Sequence, residues 1–169
     1  MDPNKLTQKT QEALHDAQTK ALRYGHTEVD TEHLLLALLD QSEGLAPRLL
    51  ERADVDVDAL RAALEIHLDG RPRVSGPGAA PGQVYVSRAV NQVLDAAQRE
   101  AERLKDEYVS VEHVLLAMIA AGPSTPIGRI LRERIWTTRR ISASRPMTGS
   151  IRPMRASVTR SRPYFSSAS

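Results

Sequence analysis

The sequence contains no cysteine in its 169 residues. This excludes a disulfide scaffold, a thiolate zinc site, an iron–sulfur cluster and a cysteine nucleophile. Aromatic residues make up only 4% of the chain, so any core must consist mainly of Leu, Ala, Val and Ile. The longest apolar runs, Leu34–Leu39 and Val114–Ala121, are far shorter than the roughly 20 residues of a membrane-spanning helix. The first residues contain no apolar segment of the kind found in secretory signals, and we therefore expect a cytoplasmic protein with no membrane partner.

Acidic residues are missing from the last part of the chain. Residues 134–169 carry a net charge of +8, whereas residues 1–133 carry −6. The overall charge of +2 therefore averages two unlike segments. The basic segment is rich in Ser, Arg and Pro, a composition typical of disorder, and we expect a disordered tail over residues 134–169. An unrelated fused tail would explain the abrupt change, but our hypothesis is a frameshifted or degraded gene end.

The remainder of the chain contains an internal repeat with an offset of 80 residues. The sequence T-E-H-L-L-L-A-L-L at Thr31–Leu39 recurs as V-E-H-V-L-L-A-M-I at Val111–Ile119. Ahead of both segments, apolar residues recur at spacings of three and four, which predicts an amphipathic helix in each copy. We therefore predict an all-α protein of tandem four-helix repeats in one compact bundle. Repeat one covers residues 1–70, a linker covers 71–83, and repeat two covers 84–133.

Residues that favour helix starts divide each repeat further. The predicted N-caps are Asp30, Asp56, Ser87, Ser110 and Thr125. The helix after Asp56 ends at a glycine, Gly70, which is typical of the residue following a helix. Repeat two has a third helix from Pro126 to about Arg132 but no clear fourth helix. Because a missing helix leaves apolar surface in water, we expect repeat two to be less stable than repeat one.

None of the candidate chemical motifs predicts catalysis. The linker is rich in glycine, but no strand precedes it, and no Walker A pattern occurs anywhere in the chain, so we interpret it as a connector. His33 and His113 have no second metal ligand on the same helical face. We expect each histidine to satisfy backbone donors in a first helical turn and to pack at a joint between helices. The chain is therefore predicted to be non-enzymatic, with no cofactor.

Four segments carry a resemblance to a known family. They are L-T-Q-K at Leu6–Lys9, T-E-V-D-T-E-H-L-L-L-A-L-L at Thr27–Leu39, P-R-V-S-G-P-G-A-A-P-G-Q-V-Y-V at Pro72–Val86, and L-K-D-E-Y-V-S-V-E-H-V-L-L-A at Leu104–Ala117. Together they resemble the Clp N-terminal repeat (Clp R) domain, in the form that precedes the ATPase modules of ClpB-type disaggregases. The resemblance runs from Met1 to about Glu133. It implies a compact helical module that binds unfolded or aggregated client proteins, or adaptors, and that belongs with a full-length Clp ATPase.

The resemblance also implies positions that handle substrate. They fall on Thr7, Asp106 and Glu112 in this sequence. Each has a structural interpretation of equal weight, because Thr7 is suited to cap the first helix and Asp106 to occupy a turn. Glu112 is a first-turn acid that the helix dipole favours. Sequence alone does not separate the two interpretations.

Two alternatives to client binding remain open at this stage. The arginines of residues 134–169 are suited to bind nucleic acid or another polyanion electrostatically. That segment has few aromatic residues for stacking on bases, which weakens the nucleic-acid interpretation. The second alternative is a truncated remnant without function.

Overall fold

The computed structural model describes residues 3–74 and 84–143 and confirms an all-α fold. A 3-10 turn, Pro3–Lys5, precedes the helices of repeat one, which are α1 (Gln8–Tyr24), α2 (Thr31–Asp40), α3 (Leu45–Arg52) and α4 (Val57–Asp69). Repeat two contributes α5 (Arg88–Leu104), α6 (Val111–Ala120) and α7 (Pro126–Ala143). Two short strands, β1 (Glu28–Val29) and β2 (Tyr85–Val86), lie between helices.

The two repeats agree in helix length and in how the helices begin. Helices α1 and α5 have 17 residues each, and α2 and α6 have 10 each. Asp56 and Ser87 cap their helices as predicted, since their side chains accept hydrogen bonds from Ala59 N–H and Val90 N–H. Thr125 accepts from the N–H of Gly128 at the start of α7. Short polar side chains therefore fix where these helices start.

The core is centred on α2, whose residues Leu34–Leu39 are all buried. The other helices of repeat one lie around α2, and α5, α6 and α7 contact it from repeat two. One cluster of buried side chains extends through both repeats. The apolar character of α2 on all sides is explained by this central position.

Backbone hydrogen bonds join the repeats in a pseudo-symmetric way. Thr7 N–H donates to the carbonyl of Val109 at 3.1 Å, and Ser87 N–H donates to the carbonyl of Val29 at 2.9 Å. The two donors, Thr7 and Ser87, are 80 residues apart, and so are the two acceptors, Val29 and Val109. The two hydrogen bonds are therefore equivalent under the repeat. Strands β1 and β2 form a parallel pair at the second of these junctions. Each repeat therefore supplies one donor segment and one acceptor segment to the other.

The segment between the repeats, which the sequence analysis interpreted as a connector, makes contacts with repeat one. The sequence predicted no strand, yet β2 pairs with β1 directly before α5. At the start of the predicted linker, Arg71 forms an ion pair with Asp30 at 3.1 Å, and Val74 N–H donates to the carbonyl of Gly25 at 3.0 Å. The rest of the linker, residues 75–83, lies outside the described residues.

Two helix ends also differ from the predictions. Helix α7 continues to Ala143 rather than ending near Arg132, so residues 134–143 are helical and not disordered as predicted for the tail. No proline or glycine occurs between Gly128 and Pro146 to stop the helix, and arginine is a good helix former. Gly70 follows α4 as expected, but its φ of −76° is right-handed, so it does not supply a left-handed cap. The remaining predicted tail, residues 144–169, is outside the described residues.

Candidate functional site

Thr7 lies at the start of α1, where its side chain has a structural partner. Its Oγ1 accepts a hydrogen bond from Thr10 N–H at 3.3 Å and lies 2.9 Å from the Thr10 hydroxyl. The Thr10 hydroxyl in turn donates to the carbonyl of Val109 in repeat two. Thr7 is therefore an N-cap that also belongs to the junction between the repeats, and it is half-buried rather than enclosed.

Glu112 lies in the first turn of α6 and is half-buried. Its counterpart in repeat one, Glu32, is fully buried, accepts a hydrogen bond from Thr31 Oγ1 at 2.9 Å and lies 3.0 Å from His67 Nε2 on α4. Within the described part of the chain, Glu112 has neither a hydrogen-bond nor an ion-pair partner for its carboxylate. The equivalent glutamates thus differ, since Glu32 is buried and paired and Glu112 is half-buried and has no partner among the described residues.

Asp106 follows the left-handed residue Lys105, at the end of α5, and its side chain is 55% exposed. Its Oδ2 lies 3.0 Å from His113 Nε2, and His113 Nδ1 accepts a hydrogen bond from Ser110 N–H at 3.0 Å. Because Nδ1 is an acceptor, the ring hydrogen is on Nε2 and is donated to Asp106. Asp106 therefore orients His113 while keeping part of its carboxylate in solvent.

The equivalent arrangement in repeat one has no carboxylate. His33 Nδ1 accepts from Asp30 N–H at 2.9 Å, and its Nε2 lies 2.8 Å from Nδ1 of His26, which takes the place of Asp106. Burial, reinforced by His26 and the positive charge of Arg71, lowers the pKa of His33 to about 4. The pKa of His26 is also lowered, chiefly by burial and then by Arg71. His33 and His113 thus both act at helix joints, as predicted. The described residues contain no group of three or more His, Asp or Glu side chains suited to hold a metal ion.

Thr7 and Glu112 line one groove at the junction of the repeats. The groove has a volume of about 280 Å³ and is also lined by Lys9, Gln41, Leu45 and Val111. Leu45 is 38% exposed, which gives the groove an apolar wall. We name this cavity, lined by Thr7, Gln41, Leu45 and Glu112, the junction groove.

The junction groove unites two of the three substrate positions suggested by resemblance. Asp106 is not among its lining residues, so the structure does not bring all three together. Sequence analysis did not identify Leu45 or Gln41 as site residues. The only available signal was that Thr7 and Glu112 both lie at helix starts, and the fold rather than the sequence brings those starts together.

The equivalent groove of repeat two is larger. Its volume is about 610 Å³, and its wall carries a series of alanines, namely Ala89, Ala96, Ala117, Ala120 and Ala121. At the position of Ala96, repeat one has Asp16, and at that of Ala120 it has Asp40. We name this cavity the alanine groove; its apolar wall makes it the natural comparison for binding experiments.

A prediction for Thr7 separates capping from ligand contact. Thr7→Ala should lower the free energy of unfolding by about 1 kcal/mol because it removes the N-cap acceptor. Thr7→Ser keeps the oxygen and should change stability much less. Urea unfolding of the two variants measures this difference, and equal stability of Thr7→Ala and the parent chain would show that the cap is unimportant.

These features define a class of protein: a double helical repeat with an exposed groove between the repeats. The family model described as the Clp repeat (R) N-terminal domain matches residues 5–134. The chain belongs to this family.

Similar proteins agree with that assignment. The chain is 54% identical over 133 residues to the chaperone protein ClpB of Nitratidesulfovibrio vulgaris and 50% identical over 117 residues to that of Bacillus cereus strain ATCC 14579. These alignments cover 79% and 69% of this chain but only 15% and 14% of the relatives. The matched region corresponds to the N-terminal domain, and the ATPase modules lie outside it.

Solved structures show the same fold. The N-terminal domain of the ClpV1 ATPase from enteroaggregative E. coli aligns with a TM-score of 0.65 and 26% identity, covering 83% of this chain and 85% of that one. The Hsp104 N-terminal domain from Candida albicans aligns with a TM-score of 0.65 and 21% identity, covering 82% and 89%. In the described ranges, none of the helices has the length and apolarity needed to cross a membrane.

Proposed function

We propose that this chain is a non-enzymatic protein-binding module of the cytoplasm that contacts unfolded or aggregated clients, or adaptors, through the junction groove. The observation that carries the proposal is that Thr7 and Glu112, 105 positions apart in the sequence, line the same groove. The half-exposed Leu45 provides an apolar contact, and the unpaired Glu112 carboxylate provides a polar one. Asp106 acts on this surface indirectly, by holding His113 at the start of α6.

A groove of this kind suits a short extended segment of an unfolded chain. Its lining residues lie at or near the starts of α1, α3 and α6 and include both polar and apolar side chains. Ordering a flexible client offsets much of the energy gained on contact, so the affinity is weak. Weak, broad binding is compatible with a module that receives many clients.

The proposal predicts that substitutions in the junction groove weaken client binding while a substitution in the alanine groove does not. Leu45→Asp should lower the affinity for reduced, carboxymethylated lactalbumin, a permanently unfolded polypeptide, by about tenfold, because it places a charge on the apolar wall. Glu112→Gln should have a smaller effect in the same direction. Fluorescence anisotropy with the labelled polypeptide measures both.

The control variant is Ala96→Asp, which copies the residue that repeat one has at this position. Its affinity for the unfolded polypeptide should equal that of the parent chain. If Ala96→Asp abolishes binding and Leu45→Asp does not, the client site is the alanine groove and the proposal is wrong. Circular dichroism of each variant checks that the helices remain intact.

The same preparations test the polyanion alternative. Filter binding of nucleic acid is compared for the whole chain and for a chain lacking residues 134–169. Client binding that survives the truncation supports the proposal. Salt-sensitive nucleic-acid binding that disappears with the truncation, together with absent client binding, would favour the alternative.

A further inference from the structure

Helix α6 exposes a face that its counterpart α2 buries. Leu116 and Ile119 on α6 are 45% and 40% exposed, whereas Leu36 and Leu39, at the same positions of α2, are 3% and 2% exposed. Glu112 lies one turn before Leu116 on the same face, because residues four apart are neighbours on a helix. We name the surface formed by Glu112, Leu116 and Ile119 the α6 outer face.

Helix α4 shows what covers this face in repeat one. His67 on α4 lies 3.0 Å from the carboxylate of Glu32, and Arg61 donates to the carbonyl of Leu39 at 3.1 Å. Arg61 also pairs with Asp40 at 3.2 Å, at the end of α2. The buried side of α4 is a stripe with a spacing of four, formed by Leu60, Leu64 and Leu68. The face of α2 is therefore built for an amphipathic helix with a cationic or imidazole side chain opposite the glutamate.

In the described part of repeat two, no helix takes the place of α4. Helix α3 ends at Arg52 and the chain turns back into α4, but α7 passes the equivalent position, Glu133, without ending. It continues for ten residues, and this carries the chain about 15 Å along the axis of α7. The α6 outer face therefore has a glutamate and two aliphatic side chains, as the covered face of α2 does. Among the described helices, none covers it as α4 covers α2.

We propose that the α6 outer face docks an amphipathic helix supplied by another polypeptide. That helix carries leucine-like residues at i, i+4 and i+8 and a basic or imidazole side chain next to the last of them, as α4 does. The apolar stripe packs on Leu116 and Ile119, and the basic side chain meets Glu112. This surface lies beyond the proposed client function and shares only Glu112 with the junction groove.

The structure favours a separate partner over the other occupants. A second copy of this chain cannot donate its own α4 without opening repeat one, since the α4 leucines are completely buried there. A helix from another protein does not require repeat one to open, and its basic side chain would pair with the carboxylate of Glu112, unpartnered among the described residues, as His67 pairs with Glu32.

The test uses a fluorescent peptide with the sequence of residues 56–70, which is α4 with its N-cap, and the whole chain. Anisotropy should show saturable binding. The double variant Leu116→Asp with Ile119→Asp should lower the affinity by at least about tenfold, because it removes both apolar contacts. Leu22→Asp is the matched control, since Leu22 is 49% exposed on α1, and it should leave the affinity unchanged. A peptide with Leu64→Asp should not bind.

Several outcomes would overturn the proposal. One is no peptide binding to the whole chain, and another is binding that is unaffected by Leu116→Asp with Ile119→Asp. Binding that appears only in a chain ending at Ala143 would show that residues 144–169 occupy the face. A dimer in solution that the double variant dissociates would show that a second copy occupies it. Leu45→Asp should weaken binding of the unfolded polypeptide but not of this peptide, so failure of one proposal is distinguishable from failure of the other.

Discussion

Replacing Leu36 by alanine is expected to lower the free energy of unfolding by about 2–5 kcal/mol, whereas Leu116→Ala should lower it by less than about 1 kcal/mol. The two leucines occupy equivalent positions in the two repeats, so the small change in helix propensity, which favours alanine, is the same in both variants. The difference comes from packing, because Leu36 is 3% exposed and Leu116 is 45% exposed.

Leu36 lies where α1 and α4 meet over α2. Tyr24 on α1 and Glu65 and Asp69 on α4 line the same small cavity as Leu36. Truncating this side chain leaves a void that the surrounding helices close only in part, and this adds to the lost transfer energy. Leu116 has no such surroundings among the described helices. Equal destabilisation of the two variants in urea unfolding would mean that α6 is covered as fully as α2.

Acidification is expected to destabilise the chain through His33. The folded pKa of about 4 lies below the ordinary value of 6.5, so the unfolded chain takes up a proton that the folded chain refuses. The contribution of this histidine to stability is complete above about pH 6.5 and decreases as the pH falls towards 4. Between pH 7.5 and pH 5 the loss amounts to about 2 kcal/mol.

A variant of the same histidine isolates this effect. In His33→Gln the side chain still reaches the N–H of Asp30, because glutamine is favoured at this position of a capping box, but it does not titrate. Between pH 7.5 and pH 5, the free energy of unfolding of this variant should therefore fall by about 2 kcal/mol less than that of the parent chain. His15→Gln, at an exposed position of α1, should keep the full pH dependence of the parent chain. Identical slopes for His33→Gln and His15→Gln would contradict the buried, neutral state of His33.

The helix starts could be predicted from the sequence because each depends on local chemistry. Asp56 and Ser87 accept hydrogen bonds from backbone N–H groups three residues later, and such contacts require no tertiary information. The double repeat was predictable for a different reason, since the offset of 80 residues preserves both apolar and polar positions. These two signals determine the all-α fold and the position of α2.

The features that sequence analysis missed depend on contacts between distant segments. Strands β1 and β2 have two residues each, which is too short for an alternating pattern to appear. The extension of α7 was missed because composition rich in arginine and serine suggested disorder, although nothing in residues 134–143 terminates a helix. The junction groove was not predictable, since Leu45 and Glu112 become neighbours only through the packing of the repeats.

Hydrogen exchange of the ten-residue helices α2 and α6 tests the central claim most directly. The claim is that α4 covers the outer face of α2 in repeat one, whereas the α6 outer face in repeat two is open to solvent and to a partner. The account predicts smaller protection factors in α6 than in α2, with the largest differences on the exposed side near Leu116 and Ile119. Equal protection of the two helices, or greater protection of α6, would contradict it.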